Sequence, residues 1–226
     1  KTFVNSSNEK NKKTVSKNDI ISFYMDYVLE HNQEPKTIYA FAKANNFEES
    51  QFYGFFASFD VLEKSIFEAF YSNSIQALNN SEDYKIFDAR NKLLSFYYTY
   101  FENLTANRSY VKHVLAKYKN DLKGLKVLSG LKTHFTNYIS ELEIQMLDIK
   151  QEQLEKIQDR ALKESAWLQL LLTMKFWIED TSASFEKTDV FIEKSVNTTF
   201  DVLDIAPLKS VLDLGKFLFK EKFQMN

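Results

Sequence analysis

Thr37-Ile38-Tyr39-Ala40-Phe41-Ala42-Lys43-Ala44-Asn45-Asn46-Phe47-Glu48-Glu49-Ser50-Gln51-Phe52-Tyr53-Gly54-Phe55-Phe56 decides how the chain folds. Residues 38–44 read as a short helix that starts just after Pro35, a residue that cannot sit inside one. Asn45-Asn46 supplies a turn, because asparagine tolerates the left-handed conformation better than most residues. A further short helix is predicted over 48–56. In it Phe52 and Phe56 lie one turn apart and face a small core with Ile38, Ala42 and Leu62, while Tyr53 points elsewhere. Upstream, Ile20, Ile21, Tyr24, Tyr27 and Val28 recur at helical spacing up to His31, with Asn18 or Asp19 as N-cap. Three short helices with a tight turn between the second and third describe a helix-turn-helix.

The rest of the chain is also helical. Its 226 residues hold 4 glycines and 2 prolines, against about 12% for the two residues together in average proteins, which argues against a turn-rich β fold or a glycine-looped nucleotide fold. Longer helices are predicted at 60–79, 84–105, 108–121, 124–149, 151–181, 186–204 and 207–223, separated by Asn79-Asn80, Asn107, Gly124, 181–184 and Pro207. The expected organisation is a basic arm at 1–18, a helix-turn-helix domain at 19–62 and a helical body at 63–226. The arm carries five lysines against Glu9 and reads either as a flexible basic arm or as an ordinary solvated tail.

Charge and chemistry narrow the function. Lys and Arg number 29 against 31 Asp and Glu, a net charge of −2, so any nucleic-acid or membrane surface is local. The absence of cysteine excludes disulfides and thiolate catalysis, and no apolar run reaches the ~18 residues of a membrane span, so a cytoplasmic location is expected. There is no nucleophile elbow, phosphate loop or metal-ligand spacing, and His31, His113 and His134 lie in separate segments. Neither an enzyme, a metal nor a cofactor is expected.

At 35–62 the sequence resembles the TetR family of bacterial regulators. Residues 37–47 are similar to that family's second helix and turn, Phe52-Tyr53-Gly54-Phe55-Phe56 to its recognition-helix signature, and Val61-Leu62 to the start of its long fourth helix. The resemblance implies an all-α, TetR-like fold: a three-helix head and a helical ligand-binding and dimerisation body. It also implies operator DNA as a partner of the head. Thr37 and Tyr53 are then placed for phosphates, Gln51 for adenine, and Lys36, Lys43 and Ser50 for the surrounding face. From Lys17 to Asp60, however, three lysines stand against seven carboxylates, Glu48 and Glu49 among them. An acidic face repels a polyanion.

A second resemblance lies in residues 177–192, where Asp180-Thr181-Ser182 and Thr188-Asp189-Val190-Phe191-Ile192 are similar to a pattern in the TetR-fold, lipid-binding accessory proteins of coenzyme Q synthesis. It implies an alternative function: a lipid carrier whose acidic head does not bind DNA. The TetR resemblance implies a homodimer, expected through helices 154–181 and 186–204, the alternative being helices buried within one subunit. In the body, Phe96, Tyr100, His113, His134, Phe135, Tyr138, Trp167, Met174 and Trp177 are candidates to line a site for an apolar small molecule or lipid, or else are ordinary core. The helix at 207–223, apolar with four lysines, either packs on the body or makes a peripheral membrane contact.

Overall fold

The computed structural model describes residues 14–116, 126–144 and 152–204. Most of the basic arm, the end of the helix expected at 108–121, the 145–149 end of the helix expected at 124–149 and the helix expected at 207–223 lie outside these residues. Among those described there is no strand. The α-helices are α1 (Lys17–His31), α2 (Ile38–Ala44), α3 (Glu49–Tyr53), α4 (Phe59–Asn79), α5 (Glu82–Ile86), α6 (Ala89–Ala106), α7 (Arg108–Ala116), α8 (Ser129–Glu141), α9 (Glu152–Glu179) and α10 (Glu186–Asp204).

Side chains place the helix ends. The cap of α1 is Ser16 rather than Asn18 or Asp19: its Oγ accepts from the Asp19 N–H at 3.1 Å, and the Asp19 carboxylate accepts from the Ser16 N–H at 2.9 Å. This reciprocal pair satisfies two of the N–H groups that a helix start leaves open. The helix expected at 84–105 is in fact two. Ser81 caps α5, and the Asp88 carboxylate accepts from the Asn91 N–H at 2.8 Å, opening α6 after a break at Phe87. Likewise α3 stops at Gly54, short of Phe56.

The chain divides into two compact units. The first takes in Lys1–Ala69 and Ala106–Leu131, so α1 to α3 and the first half of α4 share a core with α7. The packing boundary thus falls at 69/70 and not at 62/63. Phe52, Phe56, Ala42 and Leu62 are buried, as the spacing predicted, while Ile38 is half-buried; Phe41 and Phe47 are buried with them. Phe41 is the hub: its ring meets Tyr24, Tyr27, Phe47, Phe52 and Phe59 edge-on at 5.6 to 6.5 Å between centroids. The one buried carboxylate among the described residues of this unit, Glu63, accepts from the Tyr24 hydroxyl at 2.9 Å. Gly130, at the start of α8, lies where a side chain would collide with Glu68 of α4.

The second unit holds Phe70–Thr105 and the described residues from Lys132 onward. Here α9 and α10 are joined by a tight turn organised by Asp180, which accepts from the N–H and hydroxyl of Ser182 at 2.8 and 2.6 Å and from those of Thr188 at 2.9 and 2.6 Å. Ser184 and Phe185 sit at φ 52° and 58°, a conformation costly for a phenylalanine. Burial by itself would raise the Asp180 carboxyl, but the four hydrogen bonds outweigh it and hold the group well below the usual carboxylate range.

Two outcomes are expected. Replacing the hub, Phe41→Ala, costs about 3–5 kcal/mol of stability in urea unfolding. Because the folded Asp180 titrates below the unfolded one, its stabilisation is complete above the ordinary carboxylate range and lost as pH falls toward the folded value. Asp180→Asn therefore lowers stability by about 1–3 kcal/mol at pH 7, and the gap to the parent narrows only as pH falls below about 4 toward the folded value; urea titrations at pH 7 and through the acid range read this.

Candidate functional site

The face of the first unit that the helix-turn-helix presents is made by α2 and α3. Thr37 caps α2, its hydroxyl oxygen accepting from the Ala40 N–H at 3.1 Å. Asn46, at φ 58°, makes the left-handed step that the asparagine pair predicted. Lys36, Thr37, Lys43, Ser50 and Tyr53 are exposed on these elements, and Gln51 is half-buried. The structure therefore brings the six head candidates to neighbouring positions on one motif.

Several of these groups already have partners within the head. The Gln51 amide oxygen accepts from the Glu48 N–H at 3.0 Å, closing the start of α3. The Tyr53 hydroxyl donates to Glu49 at 3.4 Å, and the Lys43 ammonium lies 6.0 Å over the Tyr39 ring. Residue 59 turns inward, its ring stacked on Tyr24 at 5.3 Å.

In the second unit, α6 and α8 build an aromatic cluster. Phe96 stacks on Tyr100 at 5.4 Å and meets Phe135 at 5.4 Å and Tyr138 at 5.0 Å. Tyr138 shares a 2.9 Å hydrogen bond with Tyr84 and donates to the Lys92 carbonyl at 3.0 Å. Phe101 joins the cluster to Trp177, whose indole N–H donates to Thr105 at 3.0 Å. Trp167 and Met174 are buried on the same stretch of α9. Burial is the main reason the phenols of Tyr84 and Tyr138 are pushed above the ordinary tyrosine range.

The two histidines do not join this cluster. His134 is exposed and stacks on Tyr71 at 5.4 Å. His113 lies on α7, in the first unit, where its Nε2 is buried without a hydrogen bond. Conversely, Tyr97 was not among the sequence candidates yet is fully buried against Phe96, Phe101 and Phe135. Its spacing of three from Tyr100, which places both on one side of a helix, was the available signal. Among the described residues no group of His, Asp or Glu comes together to hold a metal ion, and no helix is long and apolar enough to cross a membrane.

Comparison with known proteins agrees with this architecture. The family model described as "Tetracyclin repressor-like, C-terminal domain" matches residues 92–218, more than half of the chain. The chain belongs to the TetR family. That family is one of non-enzymatic regulators. A search of curated proteins found no match. Among solved structures, the TetR transcriptional regulator from Nitrosomonas europaea ATCC 19718 is similar in fold: TM-score 0.59 at 12% identity, over 80% of this chain and 96% of that one.

Within this TetR-family body, α9 and α10 pack through Phe176 and Phe191, stacked at 4.7 Å, and through Gln169, which donates to Ser195 at 3.2 Å. Away from that contact, Leu168 and Leu172 of α9 and Val190 of α10 stay exposed, at 41%, 50% and 47%. Asp180, Ser182 and Thr188 are the groups that close the α9–α10 turn.

Because the Gln51 side chain closes α3, Gln51→Ala is expected to lower the stability of the protein by about 0.5–2 kcal/mol in urea unfolding without any DNA present. An unchanged midpoint would show that the amide has no structural task.

Proposed function

We propose that the protein is a dimeric transcription regulator whose head binds operator DNA and whose body binds an apolar small molecule. The observation that carries this reading is the packed helix-turn-helix: Phe41, Phe47, Phe52 and Phe56 hold α2 and α3 together and leave Lys36, Thr37, Lys43, Ser50 and Tyr53 outward. The domain division follows from it, with 19–62 as the DNA-binding head and 63–226 as the ligand-binding and dimerisation body. The similar structure from Nitrosomonas europaea is described as a transcriptional regulator, which supports the same reading.

The exposed Leu168, Leu172 and Val190 support pairing of α9 and α10 with those of a second copy, since burying such side chains across a twofold axis removes apolar surface from water on both partners. The cluster of Phe96, Tyr100, Phe135 and Tyr138, extended by Trp167, Met174 and Trp177, supports an apolar site in the body. Ligand occupancy would then shift the population of head arrangements that fit DNA.

A second reading, that of a lipid-binding accessory protein with a head that does not bind DNA, is favoured by a specific observation. Glu48 and Glu49 lie at the start of α3, and the groups best suited to reading DNA beside them, Gln51 and Tyr53, are tied to the Glu48 backbone and the Glu49 carboxylate. Whether residues 207–223 dock on the body or touch a membrane belongs to this reading.

A DNA titration separates the two. The full chain is expected to shift its own upstream DNA at low ionic strength, and Lys36→Ala and Lys43→Ala each to lower the slope of log affinity against log salt by about 1. Absence of any salt-sensitive shift, with a co-purifying lipid in native mass spectrometry and sedimentation with anionic vesicles, would replace the first reading by the second.

A further inference from the structure

The start of α1 and the stretch that follows α3 come together. Val15 is buried, Ser16 caps α1, and the Lys17 ammonium lies 5.7 Å over the Phe56 ring. The chain therefore enters the head beside Phe56. Phe55, whose ring lies 6.4 Å from that of Phe56, is 46% exposed, and Tyr53, on the other side of Gly54, is 53% exposed. Phe52 and Phe56 supply the buried rings of this stretch, so the outward pair lies beyond what packing asks of it. Aromatic side chains placed in this way are enriched where a protein surface meets a partner.

Charge says which partner the face fits. From Lys17 to Asp60 three lysines stand against seven carboxylates, and Glu48 and Glu49 lie at the start of α3 itself. Residues 1–13 carry the opposite balance, four lysines against Glu9, with Lys10, Lys12 and Lys13 close in sequence to the point of entry. A second copy's α3 would bring the same negative charge to this face, and an anionic bilayer or a phosphate backbone would bring more. Tethering adds to the attraction, since a segment that enters the head beside the face is held near it at an effective concentration on the order of millimolar.

Reach and contact chemistry agree. A chain spans up to about 3.5 Å per residue, so Lys10, Lys12 and Lys13 lie within about 15 Å of Thr14. Helix α3 has five residues and is only about 8 Å long. Within the head, Lys17 lies over Phe56 and Lys43 over Tyr39 at 6.0 Å, so ammonium groups already sit against ring faces here. A lysine stem also covers apolar surface while its ammonium reaches a carboxylate.

We propose that residues 1–13 of this chain dock on the outer face of α3, laying lysine stems across Tyr53 and Phe55 and bringing their ammonium groups to the carboxylates at its start. Docked there, the segment closes the face to other partners, and the head carries its own competitor for DNA. The docking does not depend on the head binding DNA; only the competition rests on that reading.

The test uses the full chain, which has no cysteine, so that Asn5→Cys takes a single nitroxide label. The amide signals of residues 49–55 are expected to broaden in the labelled parent. With Lys10→Gln, Lys12→Gln and Lys13→Gln together, the ratio of docked to free segment is expected to fall about tenfold, the worth of a few exposed ion pairs, and it should also fall with Phe55→Ser or in about 0.5 M salt. The tether has the same length in every variant. Broadening that spares α3 in the parent, or that persists unchanged in the lysine variant, would therefore overturn the docking. Titration with the protein's own upstream DNA then reads the competition. The lysine variant is expected to bind about fivefold more tightly than the parent at low salt, because more of its heads present an open face. Weaker binding would mean that the lysines contact phosphates, and would overturn the closure of α3. If neither form binds DNA, the operator reading fails and the competition with it, while the broadening alone decides the docking.

Discussion

A helix leaves its first N–H groups and its last carbonyls without partners, and a chain with 4 glycines and 2 prolines has few backbone devices to close them. This protein closes them with side chains. Ser16 and Asp19 open α1, Thr37 opens α2, Gln51 reaches back at the start of α3, Asp88 opens α6, and Asp180 holds the turn before α10. Asn32 and Asn46 take the left-handed positions at which glycine is more usual. Where these groups sit decides which aromatic rings come to face one another, so the two cores follow from the caps.

The cores differ in character. In the first unit the rings around Phe41 meet edge-on, an arrangement that suits the quadrupole of aromatic groups, and a buried carboxylate, Glu63, sits among them with Tyr24 as a partner. This makes a small head rigid with five short-range ring contacts. The second unit is built on α6, where phenols and phenyl rings share one helix face. Several of its polar atoms form pairs, Tyr84 with Tyr138 and Trp177 with Thr105.

The head shows how a retained fold and an altered surface coexist. Phe52 and Phe56 secure α3 whatever stands on its outer side, so Glu48 and Glu49 are tolerated by the packing. Negative charge at the start of a short helix also favours its dipole, which gives these residues a structural reason to be present. The same charges weaken attraction for a phosphate backbone, and Gln51 and Tyr53 serve neighbours within the motif. The packing of α3 and the charge of its outer surface are thus set by different residues.

Local pattern was enough to read helix identity, the Asn45-Asn46 turn and the inward set of Phe52, Phe56, Ala42 and Leu62, because helical periodicity and turn chemistry act over a few residues. The same signal ran smoothly across Phe87 and Asp88, where an Asp side chain bonds the chain three residues on and splits one expected helix into two. In the aromatic cluster, pattern picked out Phe96, Tyr100, Phe135 and Tyr138, and the spacing of Tyr97 from Tyr100 was there to be used, but nothing in it placed His134 on the surface or His113 in the other unit. Sequence by itself determined that the chain is helical, aromatic-cored and headed by a helix-turn-helix, since those properties are set by the spacing of neighbouring residues. Tertiary structure decided which polar groups find partners and which stay buried without one, because a hydrogen bond between α6 and α9, or its absence, depends on distances between residues far apart in the chain.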